Sequence, residues 1–171
     1  LIVNMSLGGP FETNNYNYPV NEQNEKQFQD EIFNYVVDND DVLIIAAAGN
    51  ETCKIGDKCT FGSTTIEQTY YYPCSYTNVI CIAATDANDN VSDFSNRLAS
   101  VALASPGSAI LSTVNSSYEA WDGTSMATPV TAGATAIVWG LYNEFSATQV
   151  KDIITRSAAR VPGLKGQFVT D

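Results

Sequence analysis

The segment 122–129, which reads DGTSMATP, contains the residues best suited to chemistry. Gly123 and Thr124 are small, turn-forming residues that would deliver Ser125 to the start of a helix. The free N–H groups and the dipole at a helix N-terminus favour developing negative charge, as beside an attacking serine. Serine is also a favoured N-cap residue. The octet alone therefore leaves two interpretations open, a nucleophile and a cap.

A helix must follow this octet and hold the serine in place. The pattern predicts a helix from Ser125 or Met126 to Tyr142, with Pro129 in its first turn, where a missing N–H does little harm. The residues expected on its packed faces are Ala132, Ala136, Trp139 and Gly140. A last helix is expected to begin at the capping box 146–149 and to pack through Val150, Ile153 and Ile154.

The first fifty residues predict a βαβ unit. Residues 1–5 and the continuous apolar run 42–48 read as buried strands. Between them, residues 11–23 form a polar loop and residues 24–38 an amphipathic helix. The apolar residues that recur there at helical spacing are Phe28, Ile32, Tyr35 and Val36. This order is typical of α/β proteins with a mostly parallel sheet flanked by helices on both faces.

The remaining segments carry weaker patterns. Residues 51–72 lack periodicity and are predicted to form a long loop, and residues 79–84 a short buried strand. Two or three short strands are expected in 94–113, and the tail after Arg160 is expected to be irregular. The chain opens directly in a strand at Leu1, which indicates a piece of a longer protein.

Composition and charge narrow the class of protein. The 171 residues are 44% hydrophobic and 16% charged, which is typical of one globular domain. With 8 Lys and Arg against 19 Asp and Glu, the net charge is −11. Nucleic acid is therefore not expected as a partner, because phosphate binding needs clustered cations. No stretch reaches the roughly 18–20 apolar residues of a membrane span.

Four cysteines, Cys53, Cys59, Cys74 and Cys81, lie within one stretch of the sequence. Their spacings lack a paired C-x2-C and the chain has no His, which disfavours a zinc site. Disulfides in an oxidising compartment are favoured over free thiols. Local pairing, Cys53 with Cys59 and Cys74 with Cys81, is the prediction, although sequence leaves the other pairings open.

Three ordered segments resemble the subtilisin-like serine proteases, or subtilases. Residues 123–129 (GTSMATP) match that family's nucleophile motif. Residues 4–9 (NMSLGG) resemble its substrate-pairing strand, and residues 46–50 (AAAGN) the strand that ends in its oxyanion-hole Asn. Shorter matches follow in the family's order at 72–73, 78–80, 94–96, 105–107 and 110–113. The resemblance implies that residues 1–171 are the C-terminal portion of one subtilase catalytic domain, incomplete at the N-terminus.

The resemblance also implies a role for individual residues. Ser125 would attack the scissile carbonyl, and the Asn50 amide with the Ser125 N–H would stabilise the oxyanion, supported by the Thr124 hydroxyl. The backbone positions expected to hold an extended polypeptide substrate are Ser6, Leu7, Gly8, Gly9, Ala47, Ala48 and Gly49. The three glycines are expected to let the substrate backbone approach closely. Glu51 is expected at the rim of the substrate pocket.

The sequence departs from the family pattern at several points. It contains no His, whereas a Ser-His-Asp mechanism needs one as general base. In subtilases the Asp and His precede the Ser, so both are expected upstream of this chain. Val130 stands where many relatives have a non-catalytic His. Ala102 stands where many have a Ca²⁺-ligating Asp, so a structural Ca²⁺ is not supported by this chain, and no cofactor is required for the chemistry.

Two other functions compete with a serine endopeptidase. Sedolisins share the fold and a similar Ser motif without a catalytic His, but they have an Asp at the oxyanion position, where this chain has Asn50. A pseudoprotease or inert fragment with a binding role would be expected to have lost Ser125 or Asn50.

The cellular location also follows from these features. Cysteines that form disulfides and a glycosylation sequon at Asn115 favour a secreted or secretory-pathway protein. The sequons at Asn4 and Asn50 fall in or against predicted strands and are taken as incidental. A pro-segment in the full-length protein is a further expected partner.

Overall fold

One parallel sheet carries the fold in this computed structural model, which describes residues 1–10, 22–54, 59–61, 64–66 and 71–168. The strands are β1 Ile2–Met5, β2 Gly9–Pro10, β3 Leu43–Ala47, β4 Cys59–Phe61, β5 Thr64–Ile66, β6 Tyr71–Tyr72, β7 Val79–Thr85, β8 Val101–Pro106, β9 Ile110–Val114 and β10 Ser117–Trp121. The helices are α1 Glu22–Asp40, α2 Thr124–Leu141 and α3 Ala147–Ser157, and a 3-10 helix spans Pro162–Leu164.

The sheet has the strand order β1-β3-β7-β8, and all its neighbours are parallel. Every residue of β3 and β7 is buried, as expected for strands covered on both faces. Helix α2 contacts all four strands, whereas α1 and α3 contact each other and α3 also contacts β3. The predicted α/β class with a parallel sheet and flanking helices is confirmed.

Helix α2 packs through a stripe of small polar residues. Its buried residues are Thr124, Ala127, Thr128, Thr131 and Thr135. The hydroxyls of Thr128, Thr131 and Thr135 each donate to the carbonyl four residues earlier, so these polar groups can be buried without loss.

The predicted packing of α2 is partly wrong. Ala132 and Trp139 pack against the core as expected, but Ala136 and Gly140 are exposed. The threonine stripe takes the packed face instead. The helix also begins at Thr124, which makes Pro129 its sixth residue. The expectation that Pro129 falls in the first turn is therefore wrong.

Helix α1 turns a different face to the core from the one predicted. Phe28, Ile32 and Tyr35 remain 62%, 46% and 62% exposed. Val37 is buried and Phe33 packs against the core, together with the predicted Val36. Apolar residues occupy two sides of this helix, so the periodicity fits both, and packing against the core selects the second side.

Short strands and a 3-10 helix form in segments whose sequences show no periodicity. Segment 51–72, predicted as one long loop, contains the antiparallel pair β4–β5 and strand β6. Strand β10 pairs with β9 in a hairpin beyond the predicted strands of 94–113. The tail after Arg160 has the 3-10 helix. The polar loop predicted at 11–23 lies almost entirely outside the described residues.

Helix α3 begins as the sequence predicts. The Ser146 side chain accepts from the Gln149 N–H, and the Gln149 side chain accepts from the Ser146 N–H, which completes the capping box. Val150 is buried, Ile154 packs against the core, and Ile153 is half-buried. Within the described segments, no helix is long and apolar enough to cross a bilayer.

Candidate active site

Three segments meet at one end of the parallel sheet. Strands β1 and β3 are parallel neighbours, so the residues that follow them, Ser6 and Asn50, emerge at the same edge. The start of α2 lies beside them, because Gly49 N–H donates to the Thr124 hydroxyl over 3.1 Å. The three segments therefore converge at this edge of the sheet.

The amide of Asn50 is held in one orientation by Thr124. Its oxygen Oδ1 accepts from the Thr124 N–H and from the Thr124 hydroxyl, both at 2.9 Å. A backbone N–H can only donate, so the oxygen must face Thr124 and the NH₂ group must face away. Nδ2 makes no hydrogen bond to any residue of the described ranges, which leaves it free to donate.

Gly123 lies beside this amide in a conformation that favours glycine. Its φ of 156° and ψ of 155° belong to a region that only glycine adopts readily. A Cβ built on Gly123 would lie 3.2 Å from the Met126 sulfur and 3.6 Å from both Asn50 Nδ2 and the Ser125 backbone nitrogen. Two donors therefore lie near the same point. The Ser125 N–H is in the first turn of α2, where helical N–H groups lack intrahelical acceptors.

Ser125 is half-buried and linked to Ser6 in both directions. The Ser125 hydroxyl donates to the Ser6 carbonyl over 3.1 Å, and the Ser6 hydroxyl donates to the Ser125 carbonyl over 2.9 Å. Asp122, the nearest carboxylate in sequence, accepts from the Ala109 N–H over 2.6 Å. The Asp122 carboxylate is therefore hydrogen-bonded to the loop after β8.

Asn96 clamps the segment that carries Asn50, a role that the sequence reasoning missed. This fully buried side chain accepts from Glu51 N–H and Cys53 N–H at 3.0 and 2.9 Å. It donates to the Ala48 carbonyl at 2.8 Å, and its own N–H donates to the Gly49 carbonyl. The family match at 94–96 pointed to this position in the sequence, but it did not indicate what Asn96 does.

The half-buried Glu51 side chain accepts a hydrogen bond from the Asn96 amide, with Oε2 2.6 Å from Nδ2. Tyr71 is close to both. Burial, followed by the negative charge of Glu51, raises the pKa of Tyr71 to about 12. A neutral tyrosine therefore covers this side of the site at ordinary pH.

The glycines expected to admit substrate are crowded by the protein itself. A Cβ on Gly8 would collide with the Tyr71 ring and lie 2.7 Å from the Tyr72 carbonyl oxygen. Gly49 has a φ of 97°, and its Cβ would collide with Asn96 and lie 2.6 Å from Glu51 Oε2. Gly9 faces open space. Two of the three glycines are thus already required by internal packing.

The two segments predicted to bind substrate differ in how many of their backbone groups are already hydrogen-bonded. The Ala48 N–H donates to Ile82, and Ala48 and Gly49 have both carbonyls hydrogen-bonded to Asn96. Ala47 belongs to the ladder between β3 and β7. Leu7, by contrast, is exposed. The segment after β1 is therefore the more accessible edge.

The family to which the chain belongs follows from comparison with known sequences. The sequence model of the subtilase family (peptidase S8) matches residues 1–169. The chain belongs to the subtilase family. This places the segment that begins at Gly123 in a family of serine proteases.

Individual subtilases are similar over nearly all of this chain. Subtilisin DY of Bacillus licheniformis is 32% identical over 161 residues, which are 94% of this chain and 50% of that protein. Subtilisin E of Bacillus subtilis (strain 168) is 30% identical over 161 residues, 92% of this chain and 35% of that protein. The chain thus spans half or less of these relatives.

Solved subtilase structures share the fold. A cold adapted subtilisin-like serine proteinase superposes with a TM-score of 0.70 at 25% identity, covering 93% of this chain and 48% of that one. The prenylagaramide maturation protease PagA gives a TM-score of 0.68 at 25% identity, covering 94% and 52%.

Two pairs of cysteines lie at disulfide distance. Cys53 pairs with Cys59 and Cys74 with Cys81, with Cα atoms 5.3 and 4.7 Å apart. These are the predicted local pairs. Asn115 lies exposed in the turn between β9 and β10, and its glycosylation stays a prediction.

The described residues contain no group of three His, Cys, Asp or Glu side chains arranged to hold a metal. Ala102, at the position where a Ca²⁺-ligating Asp was considered, lies in β8 and packs against the core. The expectation that the chemistry needs no cofactor stays a prediction.

Proposed function

We propose that this chain supplies the nucleophile and the oxyanion hole of a secreted serine endopeptidase, as the C-terminal portion of its catalytic domain. The observation that carries the proposal is the pair of donors beside Gly123. The Asn50 amide, turned by Thr124, and the N–H of Ser125 lie equally close to it. Two donors near one position are what a developing oxyanion requires.

Each residue then has a defined task. The Ser125 hydroxyl gives its proton to the general base and attacks the scissile carbonyl. The peptide C–N bond then breaks, the amine leaves with that proton, and the acyl-enzyme remains. The carbonyl oxygen becomes an oxyanion between Asn50 Nδ2 and the Ser125 N–H, and Thr124 keeps the Asn50 amide turned toward it. An oriented amide stabilises the transition state without reorganising during the reaction.

The general base and its orienting carboxylate come from outside these 171 residues. The chain has no His, and Asp122 is bonded to Ala109. A serine hydroxyl is hardly ionised at neutral pH, so it needs a base within hydrogen-bond reach. We assign that base to an upstream His, oriented by an upstream Asp, in the full-length protein.

A polypeptide substrate lies in extended form along the segment after β1. Ser6, Leu7 and Gly8 offer backbone groups there, and Leu7 is exposed. Gly9 is already paired with Tyr72 in the β2–β6 ladder, and Ala47, Ala48 and Gly49 form the wall behind. Glu51 lies at the rim. Two disulfides fit a protein that folds in an oxidising compartment.

Asn50→Leu in the full-length protein tests this proposal. Leucine keeps the size of the side chain and removes the donor. We expect kcat to fall by about 10²–10³-fold with little change in KM, the loss measured when this donor is removed from a subtilisin. Asn143→Leu, at an exposed position in the turn after α2, is the control. An unchanged kcat would remove Asn50 from the mechanism.

A further inference from the structure

Pro129 removes one backbone hydrogen bond from helix α2, which carries Ser125. In an α-helix the N–H of each residue donates to the carbonyl four residues earlier. Pro129 is the sixth residue of α2 and has no N–H. The carbonyl that loses its helical donor is therefore that of Ser125.

The hydroxyl of Ser6 takes the place of that donor. It donates to the Ser125 carbonyl over 2.9 Å, across 119 residues of sequence. The same hydroxyl accepts from Asn4 Nδ2 over 3.0 Å. Asn4 Oδ1 lies 3.5 Å from it, farther than the Ser125 carbonyl oxygen, so the hydroxyl proton goes to Ser125. Since the Ser125 hydroxyl donates back to the Ser6 carbonyl, the two serines form a closed pair.

We infer that Ser6 is a positioning residue that locks the first turns of α2, and with them Ser125, to the end of β1. The inference rests on the proposed function of Ser125. The nucleophile is thereby held in position relative to the backbone segment proposed to hold substrate, because two hydrogen bonds join them. The pair works only because residue 129 is a proline. An N–H at position 129 would compete with Ser6 for the same carbonyl.

A double-mutant cycle in the full-length protein tests this coupling. Ser6→Ala removes the hydroxyl, and Pro129→Ala restores an N–H that can reach the Ser125 carbonyl inside the helix. Pro129 is exposed among the residues described here, so alanine removes none of their buried packing. With Pro129 present, Ser6→Ala is expected to lower kcat by about 5–10-fold, the effect of one misplaced hydrogen bond. In the Pro129→Ala background the same change is expected to cost less than about 2-fold.

The split between kcat and KM separates positioning from other roles. Positioning of Ser125 changes kcat per active site, counted by fluorophosphonate titration, whereas lost substrate contacts change KM. Equal losses in both backgrounds, or no loss in either, would overturn the inference. A loss confined to KM would overturn it as well.

A second pair of variants guards against failure to fold. Ser6→Thr keeps the hydroxyl, and Ser6→Val has the shape of threonine without a hydroxyl. The threonine variant is expected to stay within about 3-fold of the native kcat, and the valine variant to fall about 5–10-fold. Equal activity of the two would contradict the role of the hydroxyl.

Failure of the proposed function gives a different result from failure of this inference. If the native full-length protein neither cleaves peptides nor labels at Ser125, the proposed function fails. The coupling is then read from thermal unfolding. Ser6→Ala should lower the midpoint more with Pro129 than with Ala at position 129, and equal shifts would overturn the pair itself.

Discussion

Thr124 donates two hydrogen bonds to the side-chain oxygen of Asn50, one from its N–H and one from its hydroxyl, each 2.9 Å long. The hydroxyl also accepts from the Gly49 N–H over 3.1 Å. One buried side chain thus joins the start of α2 to the turn after β3. The orientation of the Asn50 amide depends on it.

Thr124→Val tests this dependence, since valine keeps the shape and removes the hydroxyl. Asn50 would keep one of its two donors, so kcat in the full-length protein should fall by about tenfold with KM little changed. The buried Gly49 N–H would lose its acceptor, which should cost about 1–3 kcal/mol of unfolding free energy. Steady-state kinetics and urea denaturation measure the two effects.

Thr124→Ser is the matched control, because it keeps the hydroxyl and loses only a methyl group. It should retain kcat within about 3-fold. Equal kcat values for the valine and serine variants would show that the hydroxyl does not orient Asn50.

Asn96→Asp tests the clamp on the segment that carries Asn50. The change replaces a donor by an acceptor opposite the Ala48 carbonyl and the Glu51 carboxylate, which lie 2.8 and 2.6 Å from Nδ2. At pH 7 the free energy of unfolding should fall by about 2–4 kcal/mol. The new carboxyl would have a native pKa above its unfolded value of about 3.9, so stability should be regained as the pH falls through the native pKa.

Denaturant unfolding of the full-length protein at several pH values checks this prediction. Asn143→Asp is the control, because it makes the same change of charge at an exposed position. If both variants lose the same stability at pH 7, Asn96 is no clamp.

The sequence predicts those parts of the structure in which one short motif determines both the conformation and the chemistry. The segment 122–129 places Ser125 in the first turn of a helix, and the apolar run 42–48 becomes a fully buried strand. The capping box at Ser146 has one local solution and forms as expected. Local pairing of the cysteines also follows, because each partner is only six or seven residues away.

Features that depend on tertiary contact could not be predicted from the sequence. The face that α1 buries is selected by packing against the core, since Phe33 packs there and Phe28 stays exposed. The clamp by Asn96 joins residues more than forty positions apart. The effect of Pro129 on the hydrogen bonds of α2 depends on the residue at which the helix begins. The sequence is compatible with a start at several residues.

Tyr71 should make stability depend on pH in the alkaline range. Its native pKa is raised to about 12, whereas an unfolded tyrosine titrates near 10. Between these values the unfolded state has lost a proton that the native state keeps. The stabilisation is fully present below pH 10 and is lost as the pH rises toward 12.

Unfolding of the full-length protein and its Tyr71→Phe variant, measured from pH 9 to 12, isolates this contribution. The difference in unfolding free energy should shrink steadily across the window. Glu51→Gln should lower the native pKa of Tyr71 and end the window earlier, because it removes the negative charge beside the ring. Parallel profiles for native protein and Tyr71→Phe would contradict the raised pKa.

The most direct test of the central claim is covalent labelling of Ser125 by a fluorophosphonate probe, followed by peptide mapping. The full-length protein should label stoichiometrically at Ser125, its Ser125→Ala variant should not label, and the 171-residue chain alone should react far more slowly, because it has no His to act as base. Labelling at another residue would contradict Ser125 as the nucleophile. Equally fast labelling of the isolated chain would contradict the assignment of the base to an upstream residue.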